Sequence, residues 1–365
     1  MIISSIEIKD FRNYEGLYLE PDQGINIFYG SNAAGKTNIL EALYVGCTSA
    51  SHRAVKDREL IRFGCDEAHI KLYIRKKSLD YRIDMHIKKN RSKGIAINSV
   101  PIRKASELLG VANVVFFSPE DLSIIKNGPS ERRRFLDTEL CQISSIYTWN
   151  LISYQKVLNQ KNRLLKEQEN IRDAEDVLDI YNSQLVSYGS VLISQRKIFT
   201  ESLNECIQQI HSGISGGKED IRLMYEPDTE EEAFEEELKK CRKSELRQRI
   251  SLKGPHRDDL CFMINNIDAR HFGSQGQQRT AALSLKLSEI QLIRDMTGDQ
   301  PVLLLDDVLS ELDRSRQTML LESIEGIQTM ISCTGLDDFI DKRFHIDRLF
   351  YVENGKITET SGRKN

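Results

Sequence analysis

The sequence predicts an α/β protein in which a mixed β-sheet lobe, discontinuous along the chain, is interrupted by an inserted helical lobe. Three observations carry this. The first third alternates apolar and polar residues in short runs, residues 131–210 switch to apolar spacings of three and four, and an all-apolar strand returns at Val302-Leu303-Leu304-Leu305. Neither β-rich part holds enough sheet to close a core alone, so the two belong together. The expected division is residues 1–117 as the N-terminal part of the lobe, 118–250 as the helical insert, and 251–365 as the C-terminal part of the lobe.

Taken in order, Ile6 and Ile8 share one strand face, Leu17 and Leu19 another, and Ile25-Asn26-Ile27-Phe28-Tyr29 runs into Gly30. Ile70, Leu72, Ile74 and then Tyr81, Ile83, Met85, Ile87 alternate with mostly basic residues, the pattern of a hairpin with one apolar face. The helical stretch carries Leu136, Leu140, Ile143, Tyr147, Leu151, Tyr154 and Leu158, then Val177, Tyr181, Leu185, Tyr188 and Leu192. The acidic run 228–237 reads as a solvated helix start or loop. Beyond it come the strand at 302–305, a helix near 314–324, a strand at 329–333 and a hairpin turning at Asn354-Gly355.

Composition narrows the class. The chain has 365 residues with 51 Lys and Arg against 55 Asp and Glu, a net charge of −4, so no argument for nucleic acid rests on global basicity. No window approaches 18 consecutive apolar residues, and Glu7, Lys9 and Asp10 stand where a signal peptide needs an apolar stretch. A soluble cytoplasmic protein without a membrane partner is expected. The seven cysteines include no C-x-x-C pair, which argues against a zinc ribbon or a disulfide framework and for reduced core thiols.

Gly30-Ser31-Asn32-Ala33-Ala34-Gly35-Lys36-Thr37 fits G-x-x-x-x-G-K-[ST] between a strand and a helix, with Asn38 next in line. Glycines there let successive N–H groups face phosphate oxygens, Lys36 adds a charge toward the β/γ-phosphates, and the Thr37 hydroxyl is placed to ligate Mg²⁺. Such a loop needs a metal-side carboxylate at the end of a buried neighbouring strand. The strand at 302–305 delivers Asp306, and Asp307 follows as the candidate to orient or deprotonate water. A second candidate phosphate site is Phe272-Gly273-Ser274-Gln275-Gly276-Gln277-Gln278, which opens a long helix with Ser274 as its cap. Two such sites at different edges of one lobe favour a symmetric dimer that sandwiches two nucleotides.

The P-loop, the S-x-G-Q-type run at Ser274 to Gln277, the Asp306-Asp307 strand end and Ser310-Glu311-Leu312-Asp313 together resemble ATP-binding-cassette ATPases of the SMC-like branch, and within it the bacterial recombination mediators. Phe11-Arg12-Asn13-Tyr14, Ser118-Pro119-Glu120-Asp121-Leu122, Arg132-Arg133-Arg134-Phe135-Leu136-Asp137 and Gly254-Pro255-His256-Arg257-Asp258-Asp259 extend the resemblance over almost the whole chain. It implies an ATP-dependent homodimer that binds duplex and gapped DNA and, with RecR and RecO, helps RecA replace single-strand-binding protein. Carried over, Arg12 and Asn13 contact nucleotide phosphates, Ser274 and Gly276 cap the γ-phosphate of the partner chain, and Asp313 lies at the dimer seam. Asp307 stands where the wider superfamily has glutamate, which implies slow hydrolysis acting as a timer. Thr334 stands where transporters often carry histidine, and Glu120 is the nearest residue to a Q-loop glutamine.

Between Lys71 and Lys104 eleven Lys or Arg face two acidic residues, an asymmetry that marks a candidate phosphate-binding face with Lys71, Arg75, Lys76, Lys77, Arg82, Lys88 and Lys89. A solvated hairpin face is the plain alternative. Of Arg132, Arg133 and Arg134, helix pitch lets at most two share a surface. Lys156, Lys161, Arg163 and Lys166 form a second candidate basic strip, and His256, with no partner ligand at zinc spacing, reads as a hydrogen-bonder.

Three other functions compete with a DNA-repair ATPase. A chromosome-organising motor would need a long heptad coiled coil between Lys36 and Ser274, and none is sustained there. A transporter's nucleotide-binding subunit is disfavoured by Asp307, Thr334 and the basic hairpin. A scaffold without turnover is disfavoured by the intact set Lys36, Thr37, Asp306 and Asp307.

Overall fold

The alternation near the N-terminus becomes β1 (Ile2–Phe11) and β2 (Tyr14–Leu19), paired antiparallel, and the apolar run before Gly30 becomes β3 (Ile25–Tyr29). Helix α1 (Lys36–Thr48) follows, then β4 (Glu67–Lys76), β5 (Leu79–Lys88), β6 (Gly94–Ile97), β7 (Val100–Pro101) and β8 (Val114–Phe117). The computed structural model describes residues 1–77, 79–167, 175–335 and 345–360. The chain divides into two compact units, one formed by Met1–Asp121 with Glu289–Asn365 and the other by Leu122–Ser288.

The second unit contains α2 (Leu122–Lys126), α3 (Pro129–Ile143), α4 (Ser145–Glu167), α5 (Glu175–Ser215), β9 (Ile221–Glu226), α6 (Phe234–Gln248), β10 (Asp259–Ile264), β11 (Ile267–Asp268) and α7 (Ala269–Phe272). Helix α8 (Gln275–Thr297) carries the chain out of it. The first unit is then completed by β12 (Val302–Asp306), α9 (Arg314–Ser323), β13 (Thr329–Cys333), β14 (Arg348–Glu353) and β15 (Lys356–Thr360).

Two six-stranded sheets build the first unit. One is antiparallel, in the order β2-β1-β4-β5-β6-β7, and its apolar face is the alternating set read from the sequence: Ile70, Leu72, Ile74, Ile83, Met85 and Ile87 are all buried. The other runs β15-β14-β3-β13-β12-β8, parallel except for β15. Its central strands, buried on both faces, need the continuous apolar runs that the sequence displays. Helix α1 touches β8, β12 and β13 of one sheet and β1, β4 and β5 of the other. Ile39, Leu40, Ala42, Leu43, Val45 and Cys47 are accordingly buried around its circumference. Gly46 permits the contact with β4, since a Cβ there would lie 2.4 Å from Leu72 Cδ1.

In the second unit α4 packs along α5, and β9 packs on α5. The unit continues past the residue-250 boundary expected from periodicity, because β10 pairs with β9 along its whole length from Asp259↔Glu226 to Ile264↔Ile221. Buried charge also ties the 254–259 segment to the helices. Arg196, 2% exposed, bonds Asp137 (2.7 Å), Asp258 (2.8 Å), the Tyr147 hydroxyl (2.9 Å) and the Pro255 carbonyl (2.7 Å). Burial works against its charge, but Tyr147, Asp137 and Asp258 outweigh that and hold it firmly protonated.

Several expected surface charges are interior. Arg132 is buried in a two-point pair with Asp259 (2.6 and 2.8 Å), and Arg133 donates to the Asp258 carbonyl. Lys161 corrects the reading of a basic strip on α4: it is fully buried and paired with Glu245 at 2.8 Å. His256 is a structural hydrogen-bonder, 2.7 Å from the Tyr154 hydroxyl, and burial pushes its pKa down to about 4. None of the seven cysteines is in a disulfide, but only Cys47 and Cys333 are buried, so the core-thiol reading holds for those two. Among the described residues no helix is long and apolar enough to cross a membrane.

Candidate functional site

The loop from Gly30 to Gly35 leaves β3 and enters α1 at Lys36. Its turn needs left-handed backbone at Ala33 (φ 64°) and at Gly35 (φ 115°), where a Cβ would come within 2.5 Å of Asn13 Nδ2. Asn13 and Tyr14, in and beside the β1–β2 turn, brace the loop from one side: Asn13 Nδ2 donates to the Ala34 carbonyl (3.1 Å) and Tyr14 Oη to the Gly35 carbonyl (3.1 Å). The β14–β15 turn braces it from another, with Gly355 N donating to the Ala34 carbonyl at 3.1 Å. Ser31, Asn32 and Ala33 remain exposed at the tip.

Lys36 is buried, 4% exposed, and its ammonium donates to the carbonyls of Gly30 (2.8 Å) and Ser31 (3.0 Å). Both acceptors are neutral, so the loop keeps a positive charge at the position where a P-loop meets phosphate. Thr37 Oγ1 donates to Asp306 Oδ1 at 2.8 Å, which brings together the two residues read as metal ligands from positions 269 apart in the chain. A hydroxyl and a carboxylate are hard oxygen donors, the type Mg²⁺ takes, so the pair fits that ion. Lys36, Thr37, Asp306 and Asp307 all belong to the first unit.

Ser332, on β13 beside β12, belongs to no motif of the sequence. Its hydroxyl donates to Asp306 Oδ1 (2.6 Å) and accepts from Asp307 N (3.0 Å). Position alone is its signal: it lies one residue before the end of the strand adjacent to the metal-side strand, in register with Asp306. Asp307 follows the last residue of β12 and adopts φ 52°. Burial pushes its pKa up; Lys36 opposes this and the neighbouring Asp306 adds to it. A carboxylate raised in this way beside a phosphate loop suits transient proton transfer.

Arg12 stands beside Asn13 at the β1–β2 turn, with its side chain 23% exposed. Its guanidinium makes a two-point bond to the buried carboxylate of Glu41 on α1 (2.7 Å twice) and donates to the Glu59 carbonyl (2.8 Å). Burial raises the Glu41 pKa, but the Arg12 and Ser51 bonds more than offset it and hold the carboxyl below its usual range. Arg12 with φ 53° thus fixes α1 to the β1–β2 turn. Asn38 Nδ2 donates to Asn13 Oδ1 (2.8 Å), closing the same corner.

In the second unit, Ser274 Oγ accepts from Gln277 N (3.2 Å) while Gln277 Oε1 accepts from Ser274 N (2.9 Å), a reciprocal cap on α8. Ser274, Gln275 and Gly276 are exposed, and Phe272 beside them is 77% exposed. Asp313, in the first unit, caps α9 by accepting from Arg316 N (3.0 Å).

The basic hairpin face carries more compensation than its own sequence suggests, because neighbouring strands supply carboxylates. Lys71 pairs with Glu7 (2.8 Å) and Arg82 with Asp84 (2.7 Å), while Arg75–Asp80, Lys88–Glu67 and Lys89–Asp66 are looser at 3.4, 3.8 and 3.7 Å. Lys76 is half-buried and bonds the Gly110 carbonyl (2.6 Å), and Lys77 reaches the Thr297 carbonyl (3.4 Å).

Comparison with known proteins gives a consistent picture. A family model described as the RecF/RecN/SMC N terminal domain matches residues 2–357. The DNA replication and repair protein RecF of Lachnospira eligens is 56% identical over 362 residues, covering 98% of this chain and 99% of its own. That of Lachnoclostridium phytofermentans is 54% identical over 357 residues with the same coverage. Among solved structures, one described as "the recombination mediator protein RecF-ATPrS in RecFOR pathway" superposes with a TM-score of 0.91 at 35% identity, covering 99% of this chain and 98% of that one. An SMC head bound to the C-winged helix domain of ScpA shares the fold, with a TM-score of 0.60 at 16% identity over 100% of this chain and 99% of that one.

Proposed function

This chain belongs to the RecF/RecN/SMC N-terminal domain family, among its RecF DNA replication and repair proteins, and on that premise we propose that it is an ATP-gated, DNA-binding homodimer acting in the bacterial cytoplasm at single-strand gaps. The observation that carries the reading is the meeting of Thr37 and Asp306 beside the charged P-loop. Mg²⁺ bound there would neutralise and orient the nucleotide's phosphates. Lys36 adds charge at the phosphates, Asp307 positions the attacking water, and Ser332 and Arg12 act as positioning residues for Asp306 and α1. Ser274 and Gly276, exposed at the start of α8, serve the nucleotide held by the partner chain, with Gln277 holding that cap and Asp313 at the seam.

ATP contacted by both chains adds binding energy to the closed dimer alone, so it shifts the population toward the DNA-holding state, and hydrolysis reverses the shift. Turnover is slow, because Asp307 reaches one methylene less far than a glutamate, and DNA that favours the closed dimer stimulates it. DNA contact is assigned to the backbone, through Arg75, Lys77, Lys88 and Lys89. Their loose, exposed pairs are worth little and yield readily to phosphate. RecR and RecO act with the closed form to let RecA load.

The test is fluorescence anisotropy of a gapped duplex titrated with the protein, with and without Mg·ATP, for wild type and Lys36→Ala. ATP-strengthened binding that the variant loses supports the clamp. Absence of binding under both conditions overturns it for the isolated chain.

A further inference from the structure

On the solvent face of the antiparallel sheet, opposite the face on which α1 packs, three metal-competent side chains converge. Glu67 and His69 lie two apart on β4 and so share that face, and His86 on β5 is the register partner of His69. The imidazoles stack with centroids 4.1 Å apart at 21°. Glu67 Oε2 lies 2.9 Å from His86 Nε2, and Glu67 Oε1 lies 3.6 Å from His69 Nε2. All three donor atoms fall within 4.8 Å of one another.

We propose that Glu67, His69 and His86 form a binding site for a divalent transition-metal ion of zinc type, independent of the nucleotide-linked Mg²⁺. The donor set is two imidazoles and one carboxylate, the mixture that Zn²⁺ accepts with a position left for water or an exogenous anion. Tetrahedral donors at about 2 Å from the ion stand about 3.3 Å apart, so Glu67 and His86, now at 2.9 Å, exchange their mutual bond for the ion and open a little, while the set as a whole, already within 4.8 Å, closes by side-chain rotation. The scaffold is rigid, since β4 and β5 pair over ten residues each. Space for the remaining ligand exists: both imidazoles line a surface cup of about 550 Å³, and Gly94, opposite His86 on β6, adds no side chain.

One feature of the face opposes the ion. The Lys88 ammonium stands 3.8 Å from Glu67 Oε2 and competes for the same carboxylate. This gives the site a signature that a chance histidine pair lacks, since removing the competing cation must tighten metal binding.

The experiment is calorimetric titration of Zn²⁺ alone into the full chain, purified without a histidine tag or metal column and dialysed against chelator. Wild type, His69→Asn with His86→Asn, Glu67→Gln and Lys88→Ala are compared, with circular dichroism and melting as folding controls. The expected result is one tight equivalent in wild type, weakened by more than about tenfold in the double variant and in Glu67→Gln, and tightened in Lys88→Ala. Co²⁺ in place of Zn²⁺ should give d–d absorption without thiolate charge transfer, which separates this site from the free cysteines. Glu67→Gln keeps the test decisive if the double variant melts early. Zn²⁺ affinity unchanged by these substitutions, no binding by wild type, or a thiolate charge-transfer band would each overturn the proposal.

Discussion

Thr37 Oγ1 and Asp306 Oδ1 are 2.8 Å apart, so the first turn of α1 and the last residue of β12 meet at one carboxylate. Thr37→Val removes the hydroxyl oxygen on the metal side, and Asp306→Asn removes the negative charge of the carboxylate there. Each is expected to cut steady-state ATP hydrolysis on the order of 100-fold, the scale for losing one preorganised polar contact, with little change in melting temperature. A phosphate-release assay beside a melting curve separates lost chemistry from lost folding.

Asp307 yields a pH signature. Its carboxyl is raised above the ordinary carboxylate value by burial and by Asp306, against the pull of Lys36. If the ionised form positions water, turnover climbs with pH through this raised pKa, and the acid limb of the rate profile sits above that of an exposed aspartate. In Asp307→Asn the residual rate should lose this limb. A limb unchanged in the variant would assign it to another group.

Much of this centre is legible in the sequence, because a P-loop and a strand-end aspartate are local patterns with fixed flanks. Ser332 and Glu41 are not, since each acts through a neighbour brought by tertiary pairing: Ser332 through the β12–β13 register, Glu41 through the turn carrying Arg12. The charge balance of the basic hairpin is hidden from the sequence for the same reason. Glu7, Asp66 and Glu67 lie outside the counted window, and only sheet pairing sets them against Lys71, Lys89 and Lys88. Lys161 defeats periodicity outright, because a buried charge on a helix face is invisible until Glu245 is seen opposite it.

That buried pair supplies a stability test. Lys161→Met leaves the Glu245 carboxylate with its cation gone and is expected to cost about 3–5 kcal/mol. Adding Glu245→Leu should restore much of the loss. Chemical denaturation midpoints of the two singles and the double decide it; additive losses would mean that the ion pair is not the unit that matters.

His256 makes stability depend on pH. Its folded value of about 4 lies below the free value of 6.5, so between these the unfolded chain binds more protons and stability rises with pH. The contribution is complete above pH 6.5 and disappears as the pH falls toward 4, a span on the order of 3 kcal/mol. Denaturation midpoints from pH 7 to pH 4.5 should fall more steeply in wild type than in His256→Asn.

Salt dependence distinguishes the cations of the hairpin face. Lys88→Ala with Lys89→Ala should weaken gapped-duplex binding equally for all sequences and lower the log–log salt slope by about 2. Lys76→Ala, which removes a bond to the Gly110 carbonyl, should lower the melting temperature and leave the slope intact. Anisotropy titrations across a salt series read both.

The parallel sheet of the first unit has a consequence for how the chain is made. Strand β3, which launches the phosphate loop, lies between β13 and β14, and Asn26 finds its partner carbonyl in Thr329, 303 residues further on. At a synthesis rate of about 5–20 residues per second, the β3 edge waits roughly 15–60 s on the ribosome with its apolar faces uncovered. The helical unit, complete at Ser288, can fold during that wait. Until the last strands emerge, β3 and β8 lack their sheet partners and are exposed β edges prone to pairing with other nascent chains, so yield in the cell should respond to translation speed and chaperone supply more than to the stability of the finished fold.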